Sequence, residues 1–245
     1  MEKNYSREEY VYLAKLHEKA ERYTGMIMWV TKFVELNPVL NLDERNILST
    51  GFKNIIGSKR SSWRIVEAME LSEGKKGGQN LVNVREVKYK IENEMRKICD
   101  EAQDLLDKYL LPSAKNSENK VFYMKLKADY YRYRAEFSTG KEHDENTTRA
   151  DNSYKAAFEI AEKDMPISNS TRLGLALNYS VFYYEICNRR EEACTIAKNA
   201  FEEAIKILDD LERGKAKDTI LIIQLLKENL ILWNNEMNED ETAET

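Results

Sequence analysis

Apolar residues recur at spacings of three and four along almost the whole chain, the period of amphipathic helices, and the pattern breaks at clusters of turn-forming residues. Nine helices are predicted, over about 6–20, 23–36, 42–72, 80–110, 116–138, 148–164, 170–187, 191–211 and 216–234. The second stops at Asn37-Pro38, because the residue before a proline is pushed out of the α region. The third ends in Gly74-Lys75-Lys76-Gly77-Gly78 and the fourth at Leu111-Pro112, while Asn169 and Ser170 are cap candidates for the seventh. Lys155-Ala156-Ala157-Phe158-Glu159 echoes Lys198-Asn199-Ala200-Phe201-Glu202 without a third copy, so irregular antiparallel helix pairs are expected rather than a regular solenoid. No linker is visible, which predicts one domain over 1–235.

Composition narrows this to an all-α fold. Only 9 glycines and 3 prolines occur in 245 residues, and 33% of the chain is charged. The formal net charge of −5 matches the five acids of 236–245 (Glu236, Glu239, Asp240, Glu241, Glu244), so the remainder is neutral and that segment is expected to be an acidic disordered tail. A neutral body has no global field to recruit nucleic acid or an acidic membrane, and no apolar run approaches the roughly 18 residues of a membrane span. Three cysteines without metal-like spacing, and an N-terminus without a basic-then-apolar signal, lead us to expect a cytoplasmic protein with its sequons at Asn146, Asn169 and Asn178 bare.

Catalytic chemistry is missing. Of two histidines, His17 has Glu21 at i+4, but nothing completes a metal site. No nucleophile elbow, dinucleotide fingerprint or phosphate loop occurs, and Cys187 and Cys194 read as core thiols. We therefore expect no enzyme, no cofactor and no metal.

What remains is a pattern of cations and amphipathic faces. Lys53 and Arg60 on helix three, and Lys125 and Arg132 on helix five, lie seven residues apart, so each pair shares a face at about 20° and ~10 Å. Their neighbourhoods are basic, with Asp129 the main exception. Spacing alone leaves open a solvated basic face or, if the two helices were adjacent, an anion site aided by the hydroxyl of Tyr133. Helix seven puts Leu177, Val181 and Tyr184 on one stripe beside Asn178 and Glu185, and helix nine puts Leu225, Asn229 and Leu232 together beside Trp233. By periodicity these read first as half-buried core stripes, and second as faces whose amide grips an extended peptide. The tyrosine-rich runs at 130–133 and 179–184 read as packing aromatics.

RNILSTGFKN at 45–54 resembles the first signature of the 14-3-3 proteins, and KDTILIIQLLKENLILW at 217–233 resembles the second. RSSWR at 60–64, DYYRY at 129–133 and RLGLALNYSVFYYE at 172–185 are also similar, so the likeness runs from about Tyr12 to Trp233. The resemblance implies a dimeric nine-helix bundle whose concave groove binds phosphoserine or phosphothreonine segments of client proteins, without catalysis. By position it implies that Lys53, Arg60, Arg132 and Tyr133 hold the phosphate and that Asn178 and Asn229 hold the peptide backbone. Lys125, Glu185 and Trp233 would assist, and Leu177, Val181, Leu225 and Leu232 would form an apolar wall. For a homodimer, or a heterodimer with a sister chain, it implies that Leu16, Ala20 and Arg22 of one subunit meet Ser62, Lys90 and Glu94 of the other, with an Arg22–Glu94 pair. Two positions depart from the family pattern: Gly25 stands where members commonly carry an acid to pair with Lys90, and Val87 where they carry tyrosine. The acidic tail has a local target in a basic groove, or serves solubility alone. The competing function is a phosphate-independent helical scaffold, which Arg60 and Arg132 would distinguish.

Overall fold

The computed structural model describes residues 5–75, 78–207 and 217–243, with side chains to residue 239. Among these residues there are nine helices and no strand: α1 (Arg7–Lys19), α2 (Tyr23–Leu36), α3 (Leu42–Lys75), α4 (Leu81–Leu105), α5 (Ser117–Phe137), α6 (Gly140–Asp164), α7 (Ser170–Glu185), α8 (Arg190–Lys206) and α9 (Lys217–Ala243). α4 runs on through a π turn, Leu106–Leu110, and a last turn, Leu111–Ser113. The chain divides into two compact units, Met1–Ala114 and Lys115–Thr245.

The first unit is nailed at helix starts. Ser6 and Glu9 form a reciprocal capping box on α1, and Asn41 and Glu44 exchange the same pair of bonds on α3, each 3.0 Å. Glu44 also accepts from Arg7 at 2.6 Å, tying α1 to α3. Burial pushes the Glu44 carboxyl up, but Arg7 and the Asn41 amide outweigh it and hold it below its ordinary value. Between these ties lie Met26, Val30, Phe33 and Val34 of α2 with Phe52 and Ile56 of α3, all buried. Ser113 Oγ, past the π turn, donates to the Pro38 carbonyl at 2.9 Å and so pins the end of α4 to the α2–α3 connection.

The second unit is built on small residues facing large ones. Ala150, Ala157 and Ala161 of α6 and Ala193 and Ala197 of α8 are buried and lack bulk, which lets helices approach closely. Aromatic rings fill the space: Tyr154 stacks on Tyr179 at 5.1 Å and 25°, and Phe182 lies 5.4 Å from Tyr154.

Three boundaries differ from expectation for physical reasons. α6 starts at Gly140, eight residues early, because its first turns are docked by polar contacts rather than apolar ones: Glu142 pairs with Arg134 at 3.3 Å and His143 Nδ1 lies 2.9 Å from the Ala135 carbonyl. The α4 extension passes Pro112, which occupies an early position of a new turn that needs no amide donor. α9 reaches Ala243, so 236–243 is helical where a disordered tail was expected, and Glu236 accepts a hydrogen bond from the Tyr184 hydroxyl. The predicted end of helix eight, 208–211, lies outside the described residues.

Candidate functional site

Lys125, Asp129 and Arg132 follow one another at i, i+4 and i+7 on α5, so one face carries two cations and a carboxylate between them. Asp129 is only 4% exposed and Arg132 6%. The carboxylate accepts four hydrogen bonds from three donors: Lys125 Nζ at 2.9 Å, Tyr154 Oη at 2.5 Å, and Asn178 Nδ2 at 2.8 and 2.9 Å to its two oxygens, with Arg132 in ion-pair range at 3.7 Å. Arg132 Nε donates to the Tyr154 hydroxyl at 3.2 Å, and its guanidinium lies 4.6 Å over the Tyr133 ring. Burial alone would raise the Asp129 carboxyl, yet Lys125 and Arg132 outweigh it and hold it below its ordinary value. Burial likewise opposes charge on Arg132, and the Tyr154, Tyr133 and Asp129 oxygens override it and push the group well up. The Tyr154 hydroxyl is pushed well up by burial and by Asp129. Asp129 and Arg132 are thus held in their charged forms, and the network fixes two cationic side chains in place with one surplus positive charge.

α7 and α9 supply the amphipathic faces. Asn178 spends its amide nitrogen on Asp129, so the group expected to hold a peptide backbone also helps order the cation network; its carbonyl oxygen takes no part in that bond. A Cβ at Gly174 would meet Ile222 Cδ1 and Lys125 Cε, each at 3.8 Å, so the Lys125 stem lies against α7 where α9 also approaches. Leu177 and Val181 are half-buried against the core, and Glu185 is exposed. On α9, Asn229 is half-buried, but Leu225 and Leu232 are 38% and 53% exposed, which a pure core stripe would not leave in water. Trp233, expected to assist at the peptide, is buried and stacks on Tyr184 at 4.6 Å and 11°, with the Arg190 guanidinium 5.5 Å from the same tyrosine ring.

In the first unit, Lys53 is exposed and Arg60 half-buried on α3. Of the residues expected at a dimer face, Leu16, Ala20 and Arg22 are exposed on and after α1. Glu94 is already paired within the chain, with Lys59 at 2.5 Å, and Lys90 with Glu86 at 2.6 Å. Ser62 Oγ donates to the Ser58 carbonyl at 3.1 Å. The glycine at 25 has a local cause: a Cβ there would sit 2.3 Å from His17 Nδ1 and 2.4 Å from Cε1. The imidazole that spacing had offered as half a metal site instead packs 6.4 Å from Trp29.

Among the described residues no group of three His, Cys, Asp or Glu comes together to hold a metal, and no helix is long and apolar enough to cross a membrane. The cysteines are free thiols. Cys99 is buried, burial and then Asp151 push Cys187 up to about 11, and burial raises Cys194, all opposite to what a nucleophile needs. Sequence reasoning missed Tyr154. The signal available was a tyrosine on the buried alanine stripe of α6, whose hydroxyl must find a partner there.

A family model described as "14-3-3 protein" matches residues 13–234. The chain is 49% identical to "14-3-3-like protein C" of Nicotiana tabacum over 96% of this chain and 92% of that one. It is 48% identical to "14-3-3-like protein GF14-E" of Oryza sativa subsp. japonica over 98% and 92%, and 48% identical to the "14-3-3 protein homolog" of Trichoderma harzianum over 93% and 87%.

Proposed function

The chain belongs to the 14-3-3 family of phosphopeptide-binding adaptors, and from that premise we infer which of its residues do the binding and how. Lys53, Arg60, Arg132 and Tyr133 contact the phosphate of a phosphoserine or phosphothreonine segment. Lys125 adds charge beside them, and Asn178 and Asn229 bond the client backbone. Leu177, Val181, Leu225 and Leu232 take its side chains, with Glu185 and Trp233 at the margin. The observation that carries this reading is the network on Asp129: it holds Arg132 and Lys125 in fixed positions before any ligand arrives, so little side-chain entropy is lost when a phosphate binds. Binding alters the client's activity, location or assembly without chemistry on it. The protein works in the cytoplasm as a homodimer through α1 of one subunit and α3 and α4 of the other. There Arg22, which has no ion-pair partner among the described residues, joins the Lys59–Glu94 pair.

The test is a titration of a fluorescent Arg-Ser-x-phosphoSer-x-Pro peptide, beside its unphosphorylated twin, into the wild type, Arg60→Ala and Arg132→Ala. Charge-assisted bonds contribute about 1.5–3 kcal/mol each, so each variant should lose about 10- to 150-fold in affinity for the phosphorylated peptide only. Equal affinity for both peptides, unchanged by either variant, would hand the function to a phosphate-independent scaffold.

A further inference from the structure

Lined by none of the residues assigned above, an open cavity of about 510 Å³ lies in the first unit between one face of α2 and the end of α4. Its size falls within the range of small-molecule sites. Its α2 wall is drawn from positions at helical spacing, Thr24, Ile27, Met28 and Thr31, and its opposite wall from Leu105 and Tyr109. Ile27 and Leu105 are buried and make an apolar floor, while Met28 is 49% exposed and lies open at the rim. Tyr109 stands in the π turn, a local widening of the helix that recurs at functional sites.

Charge decides what would enter. Three acids and two lysines line the cavity. Both lysines are already matched, Lys32 by Glu35 at 3.8 Å and Lys108 by Asp104 at 2.7 Å. The third acid, Glu101, has no ion-pair partner among the described residues. An anion would meet a net negative lining, and a neutral apolar molecule would leave Glu101 unused. A cation with an apolar body satisfies both parts. Its ammonium can donate to Glu101 and to the Thr24 or Thr31 hydroxyl, and its body can lie against Ile27, Leu105, the Met28 thioether and the Tyr109 ring.

We propose that the cavity between α2 and the end of α4 is a binding site for small amphipathic organic amines, distinct from the phosphate-binding residues. The probes are 4-phenylbutylamine, the neutral 4-phenylbutanol and the anionic 4-phenylbutyrate, each titrated into the full chain and followed by protein-observed NMR. The amine should saturate shifts of Ile27, Met28 and Tyr109 with a Kd of about 4 mM, the affinity expected of a ligand of this size. The alcohol should bind about fivefold more weakly, and the acid not at all. Glu101→Gln, at an exposed position, should remove the amine's advantage over the alcohol, and Met28→Lys, which sets a cation in the cavity, should abolish amine binding. Phosphopeptide affinity should be the same with and without saturating amine, so this site stands or falls apart from the client site. Equal binding of amine and alcohol, an advantage that survives Glu101→Gln, or shifts confined to other residues would overturn the proposal.

Discussion

Asp129 and Tyr154 show how two buried side chains that need not touch a ligand can set the behaviour of those that do. The Tyr154 hydroxyl donates to Asp129 and accepts from Arg132, so Tyr154→Phe breaks two bonds at once and leaves the rest of the ring packing intact. Leaving such partners unsatisfied costs about 1–3 kcal/mol, to be read as a lowered unfolding free energy in urea. If Tyr154 also positions Arg132, affinity for a phosphopeptide falls in step while any residual affinity for the unphosphorylated twin stays put; equal loss for both peptides would make the tyrosine purely structural. Asp129 gives a pH signature. Its folded carboxyl lies below the ordinary value of 3.8, so its stabilisation is complete above that value and disappears as pH falls through the lower, folded one. Melting curves from pH 6 to pH 2 should therefore fall steeply at the acid end for the wild type and less steeply for Asp129→Asn. An identical acid limb in both proteins would shift the responsibility to another carboxylate, such as Glu44.

At the scale of elements, the pairing of α1 with α2 turns on Gly25. Alanine within a helix normally stabilises by up to roughly 0.5–1 kcal/mol over glycine, and by less in the first turn, where Gly25 stands. Here its Cβ collides with the His17 ring, and overpacking costs typically 1–3 kcal/mol, so Gly25→Ala should lower the melting temperature in the wild type and raise it in a His17→Ala background. Additive effects in that double-mutant cycle would mean that the imidazole moves aside freely. The same contact explains why the departure at 25 was visible in the sequence while its reason was not: residues 17 and 25 meet only once α1 has folded back on α2. Helices with a continuous apolar stripe were legible, and α2 is found at its predicted bounds, Tyr23–Leu36. The first turns of α6 were not, since Glu142 and His143 dock through polar atoms, and the buried Asn146 bonds the Glu142 carbonyl of its own helix at 2.8 Å. The π turn gives no periodic signal, because one extra residue per turn hides within the tolerance of a three-or-four pattern. The cations of the client site were legible as residue types at a spacing; the commitment of Asn178 to Asp129 was not, because the two stand 49 residues apart and meet only when α7 packs on α5.

For the whole molecule, the expectation is a homodimer, seen as a doubled mass by light scattering at micromolar concentration. Several apolar side chains stand in water on the elements named for that interface, among them Leu16 on α1, Ile65 and Met69 on α3 and Val87 on α4. Ion pairs at such a face add only ~0–1 kcal/mol each, so losing the acid at position 25 need not undo it. Ser62→Glu places a charge where Ser62 now bonds its own helix, and dimer dissociation should become easier by about tenfold or more; an unchanged dissociation constant would remove Ser62 from the interface. The three thiols have a practical corollary at this scale. With its pKa near 11, Cys187 is thiolate in about one molecule in ten thousand at pH 7, whereas an ordinary surface cysteine is thiolate at a few per cent. A single cysteine engineered onto an exposed turn of α3 or α8 should therefore take a maleimide dye faster than the chain's own sulfurs, of which Cys99 is buried and Cys187 and Cys194 are raised by burial. The arrival of a client and the exchange of subunits could then be followed one molecule at a time.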